Sequence, residues 1–460
     1  MDRKNLILML ASAGTFVEAL DIAIINLTVP AIQEQFGIGP ETVQWLQTLY
    51  VLFFGGFLII GGKLSDQIGR KKIFLLGSFI FMLTSLGAGL STGFGMLAVF
   101  RALQGLGAAF IMPSAMSIVT HTFTQDQERN RAVGIFSSFA AIGSGSGLSL
   151  GGIISTYLSW HWVFLINVPV LVVTLMLAFR YLPEDPEGRS RKTDVASGVL
   201  LVMGLLSLTY GTHELTHIRE HFFAVAGSLA VSVLLLAALI YRLKTVGQPL
   251  IQMHLFRYSS LKVSGLAFVA LGAFFIVFLF LISLMLQKDM HYSAASAGLL
   301  LVPFSIMSAL MAKFVLPSVS ARLNSAQMGV FGWSFMLAGS LLLLLSVYSG
   351  HPVLLVLLGA ACISGTGMTF CFTALSVLGI QEVQQSDYGV ASSIGSTSYF
   401  LGGGIGLSFM TLLGGFFPSD YAAGGVSLLI LAGYSIAALS ALLYFIIRNR
   451  KAVQAAAAVS

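Results

Sequence analysis

The amino-acid sequence predicts an all-α polytopic membrane protein of fourteen spanning helices with both termini in the cytoplasm. Three observations carry this. Hydrophobic residues make up 57% of the 460 residues and charged residues only 9%, against roughly 25% charged in soluble domains. Apolar runs of about 20 residues, enough to cross a bilayer as a helix, recur along the chain. Nearly all Lys and Arg fall in alternate connecting segments, as orientation in a membrane requires. The 24 basic and 18 acidic residues could not cover a soluble protein of this size, and mean hydropathy is +0.91. A soluble enzyme, a nucleic-acid binder, a secreted disulfide scaffold and a disordered chain are excluded.

The spanning runs lie near 6–32, 42–62, 73–91, 95–120, 131–157, 161–182, 195–212, 222–242, 261–287, 294–318, 327–348, 352–376, 388–415 and 425–447. Each must be helical, because lipid offers no partner to an open backbone. The first run follows Arg3 and Lys4. Its opening stretch, Leu6 to Leu10, is shorter than the ~7–15-residue core of a cleavable signal, so it is read as an uncleaved spanner. A charged turn at Gly62 to Lys72 joins the second and third runs. The longest cytoplasmic loop, Pro183 to Asp194, holds Glu184, Asp185, Glu187, Arg189, Arg191 and Lys192 and reads as a solvated linker. The seventh and eighth runs then form an extra pair. Their external loop carries His213, Glu214, His217, Arg219, Glu220 and His221, and is read as a polar hairpin rather than a metal site. The expected organisation is a six-helix bundle at 1–182, a linker with two extra spanners at 183–260, and a second six-helix bundle at 261–460.

Of the 24 Lys and Arg, all but four fall on the side that holds both termini. Arg219 and Lys288 lie opposite, and Arg101 and Lys313 lie within spanners. The net charge of +6 is thus an imprint of orientation and needs no nucleic acid. Cys362 and Cys371 share one apolar run. A helix separates them by about 13 Å, beyond the roughly 7 Å reach of a disulfide, so both are read as core residues.

The few charges inside the spanners are the candidates for mechanism, since each costs about 2.5–3.5 kcal/mol near the bilayer centre. Glu18 and Asp21 lie close to the middle of the first run. Being three residues apart, they share a helix face. Two acids this close disfavour double ionisation, so at least one is expected to hold a proton. Arg101, in the fourth run, is the partner expected for an ion pair. Lys313 lies toward the cytoplasmic end of the tenth run, where lysines snorkel. A carboxyl that alternates between neutral and charged forms suits proton coupling. One pH unit supplies ~1.4 kcal/mol, and 100 mV about 2.3 kcal/mol per charge.

Three motifs add to this. Gly62-Lys63-Leu64-Ser65-Asp66-Gln67-Ile68-Gly69-Arg70-Lys71-Lys72 is a tight turn in which Gly62 and Gly69 allow close approach and a positive φ, and Asp66 can meet a helix N-terminus. Its spacing resembles the Gly-x-Leu-x-Asp-x-x-Gly-Arg-Lys signature of the major facilitator superfamily. Arg101-Ala102-Leu103-Gln104-Gly105-Leu106-Gly107-Ala108-Ala109 is similar to that family's fourth-spanner motif. The run Gly143 to Gly152 resembles the antiporter motif of its exporters, with packing glycines Gly143, Gly147, Gly151 and Gly152. Leu148 stands there in place of a proline, so the expected bend is in question. Leu20-Asp21 through Asn26 to Pro30, Trp160 to Pro169, and the glycine-rich run 389–406 resemble the fourteen-spanner drug:proton antiporter branch. The second-half loop, Pro317 to Ser325, has Ala321 where Asp66 would stand, so one working copy of the gating loop is expected.

The resemblance implies the major facilitator fold: two six-helix bundles, two extra central spanners and alternating access. It implies a gating loop of Gly62, Asp66, Gly69, Arg70 and Lys71, a proton-handling Asp21 and its partner Arg101. Glu18 has no counterpart in the pattern and is read as a second coupling or substrate acid. Asn26, Gln44, Gln47, Tyr50 and Gln104 are expected as polar cavity lining. The expected function is proton-coupled export of small amphipathic compounds, cationic or lipophilic, by a monomer in a bacterial cytoplasmic membrane. Partners are lipid, substrate and protons, with no nucleic acid, metal or cofactor beyond the proton gradient. The same fold exporting a specific metabolite or organic anion is the alternative. No intramembrane catalytic spacing appears, which argues against an enzyme.

Overall fold

The computed structural model describes residues 3–184, 194–218, 220–247, 249–384, 388–415 and 425–459, and no strand occurs among them. The helices are α1 (Arg3–Phe36), α2 (Glu41–Ile68), α3 (Arg70–Gly89), α4 (Phe94–Thr122), α5 (Arg131–Tyr157), α6 (Trp162–Tyr181), α7 (Val195–Thr212), α8 (Phe222–Thr245), α9 (Ser259–Asp289), α10 (Ala294–Ser320), α11 (Ser325–Tyr348), α12 (Val353–Ile380), α13 (Tyr388–Gly415) and α14 (Gly425–Asn449). Thirteen of them, all but α13, are long and apolar enough to cross a membrane. At 28 residues α13 has the length, but its glycines and serines dilute its apolar character. The linker charges Asp185, Glu187, Arg189, Arg191 and Lys192, and Arg219 in the loop after α7, lie outside the described residues.

The chain packs as two compact units. The first comprises Met1–Ile251 with Ile282–Pro303, and the second Gln252–Leu281 with Phe304–Ser460. In the first unit α1 lies against α5, α4 and α6, while α2 and α3 flank α4. The approach of α1 to α5 has a simple cause. Gly143, Gly147 and Gly151 recur once per turn and meet the backbone carbonyls of Phe16, Leu20 and Ile24, which recur at the same spacing. A Cβ at any of the three would collide with main chain, so glycine sets the helix separation. Gly152 meets the Ala294 carbonyl instead. At Leu148 the helix continues unbroken, within a segment that runs from Asp126 to Tyr157.

The extra pair packs on itself and on α2. Gly198 of α7 meets Ile60, and Gly56 of α2 meets Val202. Asp194 caps α7, accepting from the Ser197 backbone and hydroxyl and from Arg242 Nε of α8 at 2.8 Å. Burial pushes the Asp194 carboxyl up, but the bonds from Ser197 and Arg242 together hold it below the usual carboxylate value.

In the second unit α11 packs against α12 and α14. The glycines of α13 mirror those of α5: Gly402 and Gly406 meet Val269 and Ala273 of α9, whose Gly272 meets the Tyr399 carbonyl. Asn324 and Gln327 close a capping box on α11, so the second-half loop, which lacks an acid at Ala321, is finished by neutral groups. Cys362 and Cys371 are free thiols.

Gly147→Val should therefore cost about 1–3 kcal/mol through overpacking, read as a lower melting temperature in detergent. Gly227→Val on α8, where a Cβ meets nothing within 4 Å, should leave it unchanged. Equal effects would contradict the packing argument. The Asp194 clamp carries its own pH signature. A carboxyl held below its ordinary value contributes stability that is complete above about pH 4, the unfolded value, and is lost as the pH falls through the lowered folded one. Asp194→Asn should flatten stability in that acid window and leave its slope near neutrality alone.

Candidate functional site

The first unit concentrates its buried polar chemistry around the middle of α1. The helix places Glu18 and Asp21 one turn apart, with Asp21 0% and Glu18 4% exposed. Arg101 of α4 is also fully buried, and its Nη1 donates to Asp21 Oδ2. The same nitrogen donates to Gln104 Oε1 at 3.0 Å, one turn along α4, and Nε reaches the Leu46 carbonyl of α2 at 3.4 Å. The guanidinium lies 4.3 Å from the centre of the Tyr50 ring and 5.7 Å from that of Phe164. A cation held between an acid and two aromatic faces is compensated on several sides.

Asp21 accepts two further bonds on Oδ1, from Asn167 Nδ2 of α6 at 3.0 Å and Gln104 Nε2 at 3.4 Å. Gln104 also donates to Ser85 Oγ of α3 at 2.8 Å. The carboxylate and guanidinium thus tie α1, α2, α3, α4 and α6 to one point.

The residues expected to line a cavity divide into two groups. Gln104 belongs to the ion-pair network. Asn26 turns its amide onto its own helix, donating to the Ile22 and Ala23 carbonyls at 3.0 and 3.1 Å, where the helix tightens into a single turn at Ile25–Thr28. Gln44 donates to the Glu41 carbonyl at 3.1 Å. Gln47 and the Tyr50 hydroxyl are buried with no hydrogen-bond partner among the described residues. Asn167 and Ser85 were not expected at the site. Asn167 lies within the run Trp160 to Pro169 that resembles the antiporter branch, and Ser85 is a polar side chain inside an apolar run; neither signal points to Asp21.

In the turn between α2 and α3, Gly69 takes φ +115°, which favours glycine. Gly62 is merely in ordinary contact with Pro113, whereas Gly61 faces the Ala109 carbonyl and makes the close approach. Asp66 is exposed and Arg70 half-buried. Lys71 Nζ stands 5.7 Å from the centre of the Phe179 ring. Lys63 Nζ donates to the Pro249 carbonyl at 2.6 Å, fastening this turn to the segment after the extra pair. In the second unit Lys313 is exposed, within a π-helical turn at Met311–Val315. In the loop between α7 and α8, His221 Nδ1 lies 2.6 Å from Glu214 Oε2, and no three metal-binding side chains converge among the described residues.

Among the described residues, thirteen helices long and apolar enough to span a bilayer define a multi-pass membrane protein. Residues 11–407 match the Major Facilitator Superfamily, and the chain belongs to that superfamily; it is a transporter and not an enzyme. It is 34% identical over 422 residues to the cephamycin export protein CmcT of Amycolatopsis lactamdurans, covering 89% of this chain and 84% of that one. It is 28% identical over 413 residues to the multidrug resistance protein Stp of Mycobacterium tuberculosis, covering 89% and 76%. Its fold matches the crystal structure of a D-xylose–proton symporter with a TM-score of 0.68 over 95% of this chain and 96% of that one, at 14% identity.

Arg101→Gln should leave Asp21 buried and uncompensated, at a cost of about 3–5 kcal/mol. Combining it with Asp21→Asn should recover part of that loss, as a double-mutant cycle on thermal stability would register. Strict additivity would mean that the two side chains do not support each other. Asn167→Ala should cost less, about 1–3 kcal/mol.

Proposed function

We propose that the protein is a proton-coupled exporter of small amphipathic compounds, cationic or lipophilic, working by alternating access across a bacterial cytoplasmic membrane. On this reading it has fourteen spans and cytoplasmic termini, and acts as a monomer with the proton gradient as its energy source. The single observation that carries the coupling is the pair of buried acids on α1, only one of which is matched by a cation. Carboxyls inside a membrane are costly and are retained where a proton or a cationic group moves through them. The names of the curated relatives, which speak of export and drug resistance, support the direction of transport.

A specific observation keeps a second reading in view. The relative at 34% identity is named for a single compound, cephamycin, so export of one metabolite or organic anion fits the same fold.

Proteoliposome efflux under an imposed pH gradient, across cationic, neutral and anionic compounds, separates the two. The multidrug reading expects several unrelated cations or lipophiles to move against their gradient with counterflow of protons. Movement of one anion alone would replace it with the second reading. Asp66→Ala should slow turnover while insertion is unchanged. A normal rate would reduce the turn between α2 and α3 to an orientation signal.

A further inference from the structure

The two extra helices α7 and α8 contribute no bond to the network around Asp21. Only 17% of the α8 span is buried, so the hairpin lies at the periphery of its unit. Its polar ties are nevertheless concentrated at one place, the end of α2 that carries the turn Gly62 to Lys72.

The register of α7 on α2 places them there. The two helices run antiparallel. Gly56 of α2 faces Val202 of α7, and one turn further along α2 Ile60 faces Gly198. A Cβ on either glycine would strike the facing side chain, so the register cannot slip without a clash. One more turn along each helix brings Lys63 of α2 opposite Asp194, the N-cap of α7. The Asp194 charge acts on the Lys63 ammonium across that step.

Both ends of the hairpin close on this point. Asp194, its side chain 2% exposed, accepts from Arg242 Nε at 2.8 Å and so ties the start of α7 to the last turn of α8. Lys63 Nζ donates to the Pro249 carbonyl at 2.6 Å, just past the end of α8. A bond from an ammonium is stronger than one between neutral groups. Leu250, the next residue, is 1% exposed, so this stretch of chain is packed as well as bonded. The first unit gives way to the second two residues after Pro249, at Ile251. Lys63 therefore holds the last stretch of chain before that boundary. A hairpin that served only as a membrane anchor would need none of these ties.

Building on the exporter reading, in which the turn between α2 and α3 moves during transport, we propose that the α7–α8 hairpin is a strap on that turn. Lys63, Asp194 and Arg242 are positioning residues, and none of them touches the substrate. Together they hold the end of α2 in place, and with it Ser65 and Asp66. When the strap is released, this end of α2 opens more often and the turn loses its set position. The conformational step of transport then slows, while substrate binding elsewhere keeps its strength.

The test uses the purified full chain carrying Ser65→Cys. Ser65 is 1% exposed and lies two residues past Lys63, so its labelling by a maleimide reports opening of the end of α2. Both native cysteines lie on α12, so the peptide holding position 65 is read separately by mass spectrometry. Adding Lys63→Met should raise the labelling rate about tenfold, as loss of a hydrogen bond from a charged donor implies. Lys63→Arg, which keeps a donor, should return it toward the parent rate. Asp194→Asn should also raise it, and serves if Lys63→Met does not insert. In proteoliposomes with the native Ser65, Lys63→Met should lower Vmax for ethidium efflux severalfold and leave KM unchanged. Combined with Asp66→Ala it should be no slower than the slower single variant, since both act on one turn. Equal labelling with and without the strap, or no recovery in Lys63→Arg, would overturn the strap. An unchanged Vmax, or a KM that rises instead, would overturn the positioning role. Should the wild type export no cation under any pH gradient, the exporter reading fails, and the labelling alone decides whether the hairpin holds the turn.

Discussion

The ion pair between Asp21 and Arg101 is the constraint on which the first unit depends. A lone arginine or aspartate near the centre of a bilayer costs about 2.5–3.5 kcal/mol on insertion scales. A buried pair recovers that cost only if its remaining donors and acceptors are also met. Here most are, while Arg101 Nη2 and Asn167 Oδ1 are buried without a partner among the described residues. Asn167 and Gln104 complete the carboxylate, Leu46 and two aromatic faces surround the guanidinium, and Ser85 holds Gln104 in place. Because these partners come from five helices, satisfying one charge fixes the relative positions of all five.

The glycine ladder of α5 works with that pair. It lets α1 approach main chain to main chain, so the helix that carries both acids is gripped by dispersion contacts on one side and by polar contacts on the other. A helix held this firmly cannot swing its acids freely. What can change at low cost is occupancy, and Glu18 is the acidic position left open to that. The extra pair α7 and α8 belongs to the same unit through α2, the Asp194 clamp and the tie between Lys63 and Pro249. The turn that resembles a gating loop is thus fastened to the chain leading into α9.

Much of this was legible in the sequence, for a physical reason. Lipid forces helix on any long apolar run, so hydropathy alone finds nearly every element. The exception in composition is α13, where glycines chosen for contact with α9 lower the apolar content of a helix that is long enough. The meeting of Asp21 with Arg101 could be anticipated because two opposite charges in lipid have few other ways to be satisfied. Uncharged polar residues gave no such signal. Gln104 looked like cavity lining and instead braces the ion pair, while Asn26 bonds its own backbone. Asn167 stood in a stretch that resembles the antiporter branch, with no sign of its role, and is a partner of Asp21. Which way an amide points depends on helix rotation and on neighbours distant in sequence, and neither is encoded in spacing. The same holds for Gly61 and Gly62, adjacent glycines of which only one meets a carbonyl.

The central claim is that the two acids of α1 differ in charge state because only one has a cation. Infrared difference spectroscopy of the substrate-free protein near neutral pH tests this most directly, since a protonated buried carboxyl has its own carbonyl stretch. The account predicts one such band that is lost in Glu18→Gln and kept in Asp21→Asn. A band that survives Glu18→Gln and disappears in Asp21→Asn, or no protonated carboxyl at all, would contradict it.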